Sequence, residues 1–234
     1  MQEKLLSVKD LSVEIEEKKI LRGIDLEIGT GEAHVLMGPN GAGKSTFGNV
    51  LMGNPAYKVA SGKILFDGKD ITGEGTEKRA KMGMFLSFQN PLEVPGISLE
   101  GFLLSAIQQR TGKRPRWTAF QKELKEAMEI LDMSPEYAER DLNVGFSGGE
   151  KKKAEILQML MLKPRFVILD ETDSGLDIDA ARTVSRGIEW FREKQKGSML
   201  IITHSTRILE YIPADCPHVL PDGKIAEPGG PELA

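Results

Sequence analysis

A glycine-rich segment over residues 38–45, GPNGAGKS, is the part of the sequence whose residue types most clearly predict chemistry. It fits the pattern G-x-x-x-x-G-K-[ST] and lies between a short apolar run, AHVLMG, and a predicted helix over about 44–52. Glycines let the backbone turn tightly with N–H groups pointing inward, and the helix start favours anions. Lys44 is expected to reach the β- and γ-phosphates of a nucleotide, and Ser45 to ligate Mg²⁺. We call this segment the P-loop. Its context disfavours the alternative, an ordinary glycine turn.

A second chemical element is the apolar run FVILDE over residues 166–171, which delivers two acids at the end of a predicted strand. Asp170 is expected to hold Mg²⁺ through water, and Glu171 to orient and polarise an attacking water. An acid pair in this position could equally cap a helix. The neighbouring P-loop favours the catalytic interpretation.

His204 follows the predicted strand MLIIT, which should neighbour the strand that carries the two acids. Ligands of such sheets bind at strand ends, so His204 could donate a hydrogen bond to a γ-phosphate. The alternative is a structural or simply exposed histidine. His34 and His218 suggest no function from their positions in the sequence.

The segment SGGE over residues 147–150 resembles another anion cradle, because a serine and two glycines open a predicted helix. It lacks a partner for the metal or the base, so it would make half a site. Three lysines, 151–153, follow in the first helical turn, where cations are unfavourable. Either an anion comes to them or they form a solvated basic turn. A further hypothesis pairs one of them with Glu171.

The order of elements predicts an α/β fold, because strand and helix alternate in the first and last thirds of the chain. Residues 1–30 alternate apolar and polar side chains, which predicts paired strands. The middle third, about 90–155, is predicted to be a helical insertion within one domain of residues 1–234. Ser98 is predicted to cap its first helix after an irregular loop, and Asp222-Gly223 to form a C-terminal hairpin.

Composition limits the class of protein. The formal charge of −4 argues against a nucleic-acid binder. A single cysteine, Cys216, cannot form an internal disulfide and is interpreted as a packing residue. The sequence has no signal-peptide pattern and no apolar stretch approaching the ~18 residues of a membrane span, so we predict a cytoplasmic protein without direct membrane insertion.

Taken in order, GPNGAGKST, SGGE, FVILDE, SGLD and His204 resemble an ATP-binding-cassette (ABC) ATPase over nearly the whole chain. The resemblance implies a P-loop core with an antiparallel β subdomain and a helical insertion. It also implies a head-to-tail dimer, in which the P-loop of one copy and the SGG helix start of the other enclose ATP. Glu171 would be the general base and His204 the γ-phosphate switch.

The resemblance also assigns Gln89, as the residue that joins the core to the insertion, senses the γ-phosphate and contributes to the metal site. Asp177 would lie at the dimer interface. Lys44 belongs to the catalytic set. The implied ATP-binding residues are Gly38, Pro39, Asn40, Gly41, Ala42, Gly43, Lys44, Ser45, Thr46, Ser147, Gly148, Gly149, Glu150 and Asp177. The chain departs from the family in having Ile15 where an aromatic residue usually stacks on adenine.

Three stretches, SFQNPLEVPGIS, FSGGEKKKAEILQ and LDETDSGLDIDA, look like the ATPases of the Suf iron–sulfur cluster assembly system. This finer resemblance implies a complex with two scaffold subunits, SufB and SufD. A chain with one cysteine is itself a poor cluster scaffold. The apolar Leu92, Val94 and Ile97 are expected to be exposed toward partners, and the alternative is that they tuck under the helical insertion. The alternatives are a membrane-transporter ATPase and a nucleotide-gated scaffold with negligible hydrolysis.

Overall fold

The computed structural model describes residues 4–16, 18–204 and 207–226. The strands in these ranges are β1 (Lys4–Ile15), β2 (Lys18–Gly29), β3 (Ala33–Met37), β4 (Lys58–Phe66), β5 (Lys69–Asp70), β6 (Met84–Ser87), β7 (Val94–Ser98), β8 (Asp141–Leu142), β9 (Phe166–Asp170), β10 (Ser198–Ile202) and β11 (Cys216–Val219). The α-helices are α1 (Lys44–Leu51), α2 (Thr76–Lys81), α3 (Leu99–Thr111), α4 (Trp117–Ile130), α5 (Gly148–Leu162) and α6 (Ile178–Trp190). The predicted α/β class is confirmed.

The central sheet is parallel, with the strand order β11-β3-β10-β9-β6. Its inner strands are buried because both faces are covered. Parallel strands that run in one direction end at one edge, so the loops after β3, β6, β9 and β10 meet there. That edge carries the P-loop, Gln89, Glu171 and His204. The topology therefore gathers residues that lie far apart in the sequence.

Alternating side chains of the central sheet enter two separate apolar cores. Val167 and Leu169 of β9 pack with helices α3, α4, α5 and α6, which we call the helical layer. Phe166 and Ile168 pack with β1, β2, β4 and α1. The second core is closed by an antiparallel sheet in the order β2-β1-β4-β5. The strand pairing predicted from the alternation of the first thirty residues is confirmed, and β1 and β2 pair in antiparallel orientation.

The predicted cap of α3 by Ser98 is confirmed. The Ser98 hydroxyl oxygen accepts a hydrogen bond from the Gly101 N–H at 3.1 Å. The irregular loop predicted just before it is wrong in part, because Val94–Ser98 form β7 and pair with β8. This pairing joins residues distant in sequence, and local residue types do not report it. The single domain with an insertion over about 90–155 stays a prediction.

The helix α6 changes its geometry near its C-terminal end. It is α-helical only to Trp190, and Phe191–Gln195 form a π-helical turn. The wider turn places the Phe191 ring in the core and lets the Gln195 amide donate to the Leu160 carbonyl at 2.8 Å. Tertiary packing of the last turn, rather than helix propensity, sets this end.

The chain turns back around Asp222-Gly223 as predicted, since the Ala226 N–H donates to the Val219 carbonyl at 2.8 Å. No second strand follows β11 within the described residues, and Glu227 and Pro228 lie outside them. The preceding strand β11 pairs in parallel with β3 instead. Gly223 does turn the chain, but toward the P-loop: its N–H donates to the Ala42 carbonyl at 3.0 Å. The turn at Asp222-Gly223 was predicted correctly, but the pairing of β11 with β3 and the contact of Gly223 with Ala42 were not predicted. The described helices include none long and apolar enough to cross a lipid bilayer.

Candidate nucleotide-binding and catalytic site

The P-loop joins β3 to α1 as the sequence predicts. Lys44 is only 5% exposed, and its ammonium donates to the carbonyl oxygens of Gly38 at 2.7 Å and Pro39 at 2.9 Å. Helix α1 starts after Gly43, which gives no side-chain cap. The first N–H groups of α1 are thus left without a capping side chain, which is the arrangement that a phosphate fills.

Two P-loop glycines cannot be replaced without strain. Gly38 has φ 155°, and a Cβ there would lie 2.2 Å from the Leu220 carbonyl oxygen. Gly43 has φ 101°, and its Cβ would lie 2.8 Å from a Leu21 methyl group. The backbone of Leu220 and the side chain of Leu21 therefore leave room only for glycine in the tight turn that the sequence predicts. The remaining predicted residues of the loop lie at its exposed tip (Pro39, Asn40, Gly41), in its base (Ala42) and on α1 (Thr46).

Ser45 and Asp170, both predicted as magnesium ligands, lie side by side. The Ser45 hydroxyl donates to Asp170 Oδ1 at 3.1 Å. Burial raises the pKa of the Asp170 carboxyl, while the hydrogen bond from Ser45 opposes that shift. A hydroxyl and a carboxylate are oxygen donors of the kind Mg²⁺ prefers, so this pair fits the ion. Gln89, the third predicted ligand, donates from its amide nitrogen to Glu171, and its role at the metal stays a prediction.

Glu171 is held by both residues that were predicted to sense the γ-phosphate. Its Oε2 accepts from Gln89 Nε2 at 2.7 Å, and its Oε1 lies 3.0 Å from His204 Nδ1. The Glu171 backbone has φ 48°, and its N–H donates to the Ile202 carbonyl at 2.9 Å. A left-handed non-glycine residue costs about 1 kcal/mol or more and persists where the surroundings enforce it, commonly at functional sites. The catalytic roles themselves stay predictions.

The SGGE segment forms a capping box at the start of α5. The Ser147 oxygen accepts from the Glu150 N–H at 3.3 Å, and the Glu150 carboxylate accepts from the Ser147 N–H at 2.7 Å. Tyr137 also donates its hydroxyl to Glu150, which lowers the pKa of that carboxyl. Glu150 therefore secures the helix start. Ser147 and Gly148 are exposed, so the serine O–H and the glycine backbone face solvent.

The lysines of the first turn of α5 are tied to other parts of the chain. Lys151 pairs with Glu93 at 2.8 Å, and Lys153 donates to the Asp132 carbonyl at 3.4 Å. Lys152 is buried and pairs with Glu155 at 3.1 Å. Across the described residues, the hypothesised pairing of one of these lysines with Glu171 is not formed. The carboxylates of Glu93 and Glu155 and the carbonyl of Asp132 offset the unfavourable position of these cations at a helix start.

The ion pair of Lys152 and Glu155 belongs to a buried network that sequence reasoning missed. The Glu155 carboxylate accepts from the Ser87 hydroxyl at 2.7 Å and from the Phe88 N–H at 2.6 Å. Lys152 donates to the Phe88 carbonyl. The signal was present, since opposite charges three residues apart on an otherwise apolar helix would share a face. Because Phe88 directly precedes Gln89, the network joins α5 to the edge of the central sheet where Gln89 contacts Glu171.

Two other predicted residues have local structural partners. The Asp177 carboxylate accepts from the Ala180 N–H at 2.7 Å and caps α6. Ile15 pairs with Lys18 where β1 and β2 meet, and its side chain is partly buried. The proposed interface role of Asp177 and the adenine-stacking position of Ile15 stay predictions.

Comparisons with known proteins agree with this fold and site. A family model described as "ABC transporter" matches residues 21–174. Vegetative protein 296 of Bacillus subtilis (strain 168) is 50% identical over 231 residues, which cover 98% of this chain and 88% of that protein. The probable ATP-dependent transporter ycf16 of Cyanophora paradoxa is 46% identical over 235 residues, covering 99% and 90%. The crystal structure of a nucleotide-free ATP-binding cassette from an ABC transporter matches with a TM-score of 0.78 at 26% identity, covering 96% and 90%.

The chain therefore belongs to the ABC transporter family of ATP-binding proteins. It has the ABC cassette fold and is an ATPase that binds and hydrolyses ATP. The predicted family, fold class and type of enzyme are confirmed.

Proposed function

We propose that this chain is a SufC-type ATPase, which hydrolyses ATP to change the conformation of a SufB–SufD-type scaffold during iron–sulfur cluster assembly. The observation that carries the proposal is the contact between two of the Suf-like stretches. Ser87, Phe88 and Glu93 of the first stretch bond to Glu155, Lys152 and Lys151 of the second. Residues that resemble Suf ATPases thus form one connected unit, rather than separate matches along the chain.

The cysteine content supports a motor rather than a scaffold. Iron–sulfur clusters are usually held by several cysteine thiolates. The sequence has one cysteine, Cys216, on the edge strand β11. The ligands of a cluster would therefore come from partner subunits, and this chain would supply the conformational work.

The proposed active site is shared between two copies, because each chain has one complete P-loop and one half site. Ser147 and Gly148 face solvent at the start of α5 and would meet the γ-phosphate bound to the other copy. Donors would then surround the developing charge from both sides, so hydrolysis requires the closed pair. The same closure supplies the work, since ATP favours the closed state over the open one.

Within one copy, Lys44 would exchange its two carbonyl contacts for phosphate oxygens. Glu171 would release Gln89 and His204, accept a hydrogen bond from the attacking water and remove its proton. His204 would then donate to the γ-phosphate. Mg²⁺ held by Ser45 and Asp170 would neutralise charge on the phosphate oxygens.

The proposed partner surface lies in the segment after β6. Phe88 is 57% exposed, Leu92 80% and Val94 40%, whereas Ile97 is partly buried. Exposed apolar side chains that cluster in one segment are typical of interfaces. A partner that docks here would lie directly next to Gln89, and through the buried network it would also sense the position of α5.

The second candidate is the ATPase of a membrane transporter. The name of the Cyanophora paradoxa relative, a probable ATP-dependent transporter, favours it. Both candidates use the same residues for hydrolysis, so catalytic geometry does not separate them. They differ in partner: a soluble scaffold with cluster-ligating cysteines, or an integral membrane permease. A cytoplasmic location is part of the first proposal.

A tagged pull-down of the full chain from its source cell, with soluble and membrane fractions analysed separately, tests the proposal. We expect soluble SufB- and SufD-like proteins to be captured. Leu92→Glu should abolish capture, whereas Trp117→Glu, which changes a residue 53% exposed on α4, should not. Capture of a membrane permease instead would overturn the Suf proposal and leave the ATPase assignment intact.

A further inference from the structure

His34, Cys216 and His218 bring three metal-ligating side chains together at one side of the central sheet. Their ligand atoms lie within 4.8 Å of one another. His34 Nδ1 lies 2.9 Å from His218 Nε2. In the parallel pair of β11 and β3, Cys216 is the register partner of His34. Cys216 and His218 share a face of β11 because they are two residues apart on a strand.

Glu32 orients the buried histidine of this cluster. His34 is 5% exposed, and its Nε2 lies 3.1 Å from Glu32 Oε2. The Gly29 N–H donates to the same carboxylate oxygen at 2.6 Å, which fixes the carboxylate in the turn before β3. With Nε2–H donated to Glu32, His34 presents the lone pair of Nδ1 to the cluster. A carboxylate behind a histidine is the usual outer partner of a metal-ligating imidazole.

An open cavity of about 730 Å³ gives access to the cluster from solvent. Cys216 and His218 line it, together with the acidic residues Asp10, Asp25 and Glu27 and the basic residue Lys9 from β1 and β2. Glu27 also pairs with Lys4 at 2.5 Å. Acidic groups around a cavity attract cations and raise their local concentration. The cluster therefore combines a buried ligand, two ligands at a cavity wall and an acidic approach.

We infer that His34 Nδ1, Cys216 Sγ and His218 Nε2 bind one divalent transition-metal ion of the zinc type. Two imidazoles and a thiolate suit Zn²⁺ and disfavour Mg²⁺ and Ca²⁺, which take oxygen ligands. Three protein ligands leave a fourth tetrahedral position, which the cavity can fill with water or another small ligand. Binding releases the thiol proton to solvent and moves the His218 proton from Nε2 to Nδ1.

Cobalt titration of the purified full chain tests the inference. Co²⁺ is added to reduced, chelator-treated protein without nucleotide and with excess Mg²⁺, which occupies oxygen-rich sites. We expect one equivalent of Co²⁺ to give tetrahedral d–d bands and a thiolate-to-cobalt charge-transfer band, and Zn²⁺ to displace it. Cys216→Ser should lose the charge-transfer band. Glu32→Gln should weaken binding about 10–100-fold.

Two variants separate this site from other binding. His218→Gln removes a direct ligand and should weaken Co²⁺ binding more than Glu32→Gln does, by over about 100-fold. His204→Gln, which changes the histidine at the catalytic edge, should leave the affinity and the spectrum unchanged. A folded wild-type chain without the charge-transfer band at saturating Co²⁺ would overturn the inference. An equal band in Cys216→Ser would do the same. Neither result bears on the proposed Suf function.

Discussion

Lys152 and Glu155 form an ion pair at 3.1 Å in the interior between α5 and the segment after β6, and each is less than 5% exposed. Charges so deeply buried persist only when they are paired and hydrogen-bonded. Their other partners are the Phe88 backbone and the Ser87 hydroxyl. A movement of α5 therefore displaces the residue before Gln89. In this way one buried network joins the helix that begins after Ser147 to the segment that carries Gln89.

The first prediction concerns the stability of this link. Lys152→Met leaves the Glu155 carboxylate buried without its cation, so the free energy of unfolding should fall by about 3–5 kcal/mol. Urea denaturation followed by circular dichroism measures it. Lys151→Met is the matched control, because it breaks the more exposed pair with Glu93 and should cost less than about 1 kcal/mol. Equal losses for the two variants would contradict the buried network.

The double variant Lys152→Met with Glu155→Gln refines this prediction. Removing both charges avoids an unpaired buried ion, so the double variant should lose less stability than the two single variants added together. Strict additivity would show that the two charges do not interact.

The second prediction separates the two functions of Ser147. Ser147 and Ser98 each cap a helix, so Ser147→Ala and Ser98→Ala should each lower the free energy of unfolding by about 1 kcal/mol. Only Ser147→Ala should also reduce ATP turnover, because only Ser147 is proposed to meet the γ-phosphate of a second copy. Steady-state phosphate release measures turnover. An equal decrease in both variants, or none in either, would indicate that Ser147 acts only as a cap.

Sequence reasoning worked best where one segment contains its own physical cause. The P-loop, the start of α1 at Lys44 and the Ser98 cap depend on residues a few positions apart, and the structure has all three as predicted. The convergence of Gln89, Glu171 and His204 followed from the ordered motifs and from the rule that parallel strands end at one edge.

Predictions failed where a distant partner decides the structure. Gly223 was recognised as a turn, but its hydrogen bond to Ala42 and the pairing of β11 with β3 come from far along the chain. Lys152 is also held by the Phe88 carbonyl, which lies 64 positions away in the sequence, although its other partner, Glu155, is only three residues along α5. His34 and His218 appeared unremarkable because 184 positions separate them in sequence, although their nitrogen atoms lie 2.9 Å apart.

The third prediction tests the proposed base. Glu171→Gln should lower ATP turnover by about 10²–10⁴-fold, since an amide cannot accept the proton of the attacking water. ATP binding should remain, because the P-loop is unchanged, and size-exclusion chromatography with ATP should show a closed dimer. Glu139→Gln, an exposed carboxylate of the helical layer, is the control and should keep normal turnover. Normal hydrolysis by Glu171→Gln would mean that another group is the base.

A fourth prediction concerns partners and turnover. If the chain is a motor, SufB- and SufD-like partners should stimulate its phosphate release, since docking beside Gln89 changes how often two copies close. If hydrolysis stays negligible with and without partners, the nucleotide-gated scaffold becomes the better description. Phe88→Ser, which alters an exposed side chain next to the buried network, should weaken stimulation and leave basal turnover unchanged.

The fifth prediction is a pH dependence of stability that originates at His218. Burial lowers the pKa of this imidazole to about 4, and the neighbouring His34 adds to the shift. In the unfolded chain the group titrates near its ordinary value of about 6.5. Between these two values the unfolded chain binds the extra proton and the folded chain does not. The free energy of unfolding should therefore fall as the pH falls from about 6.5 toward 4, and this contribution should be fully present above 6.5.

Urea denaturation of chelator-treated protein at several pH values across this window measures the effect. His218→Gln is the comparison, because carboxylates that titrate at similar pH are the same in both proteins. The stability advantage of the wild-type chain over the variant should shrink as the pH falls, and it should stop changing below about 4. Parallel pH profiles for the two proteins would contradict this, because they would mean that His218 takes up its proton equally well in the folded and unfolded states.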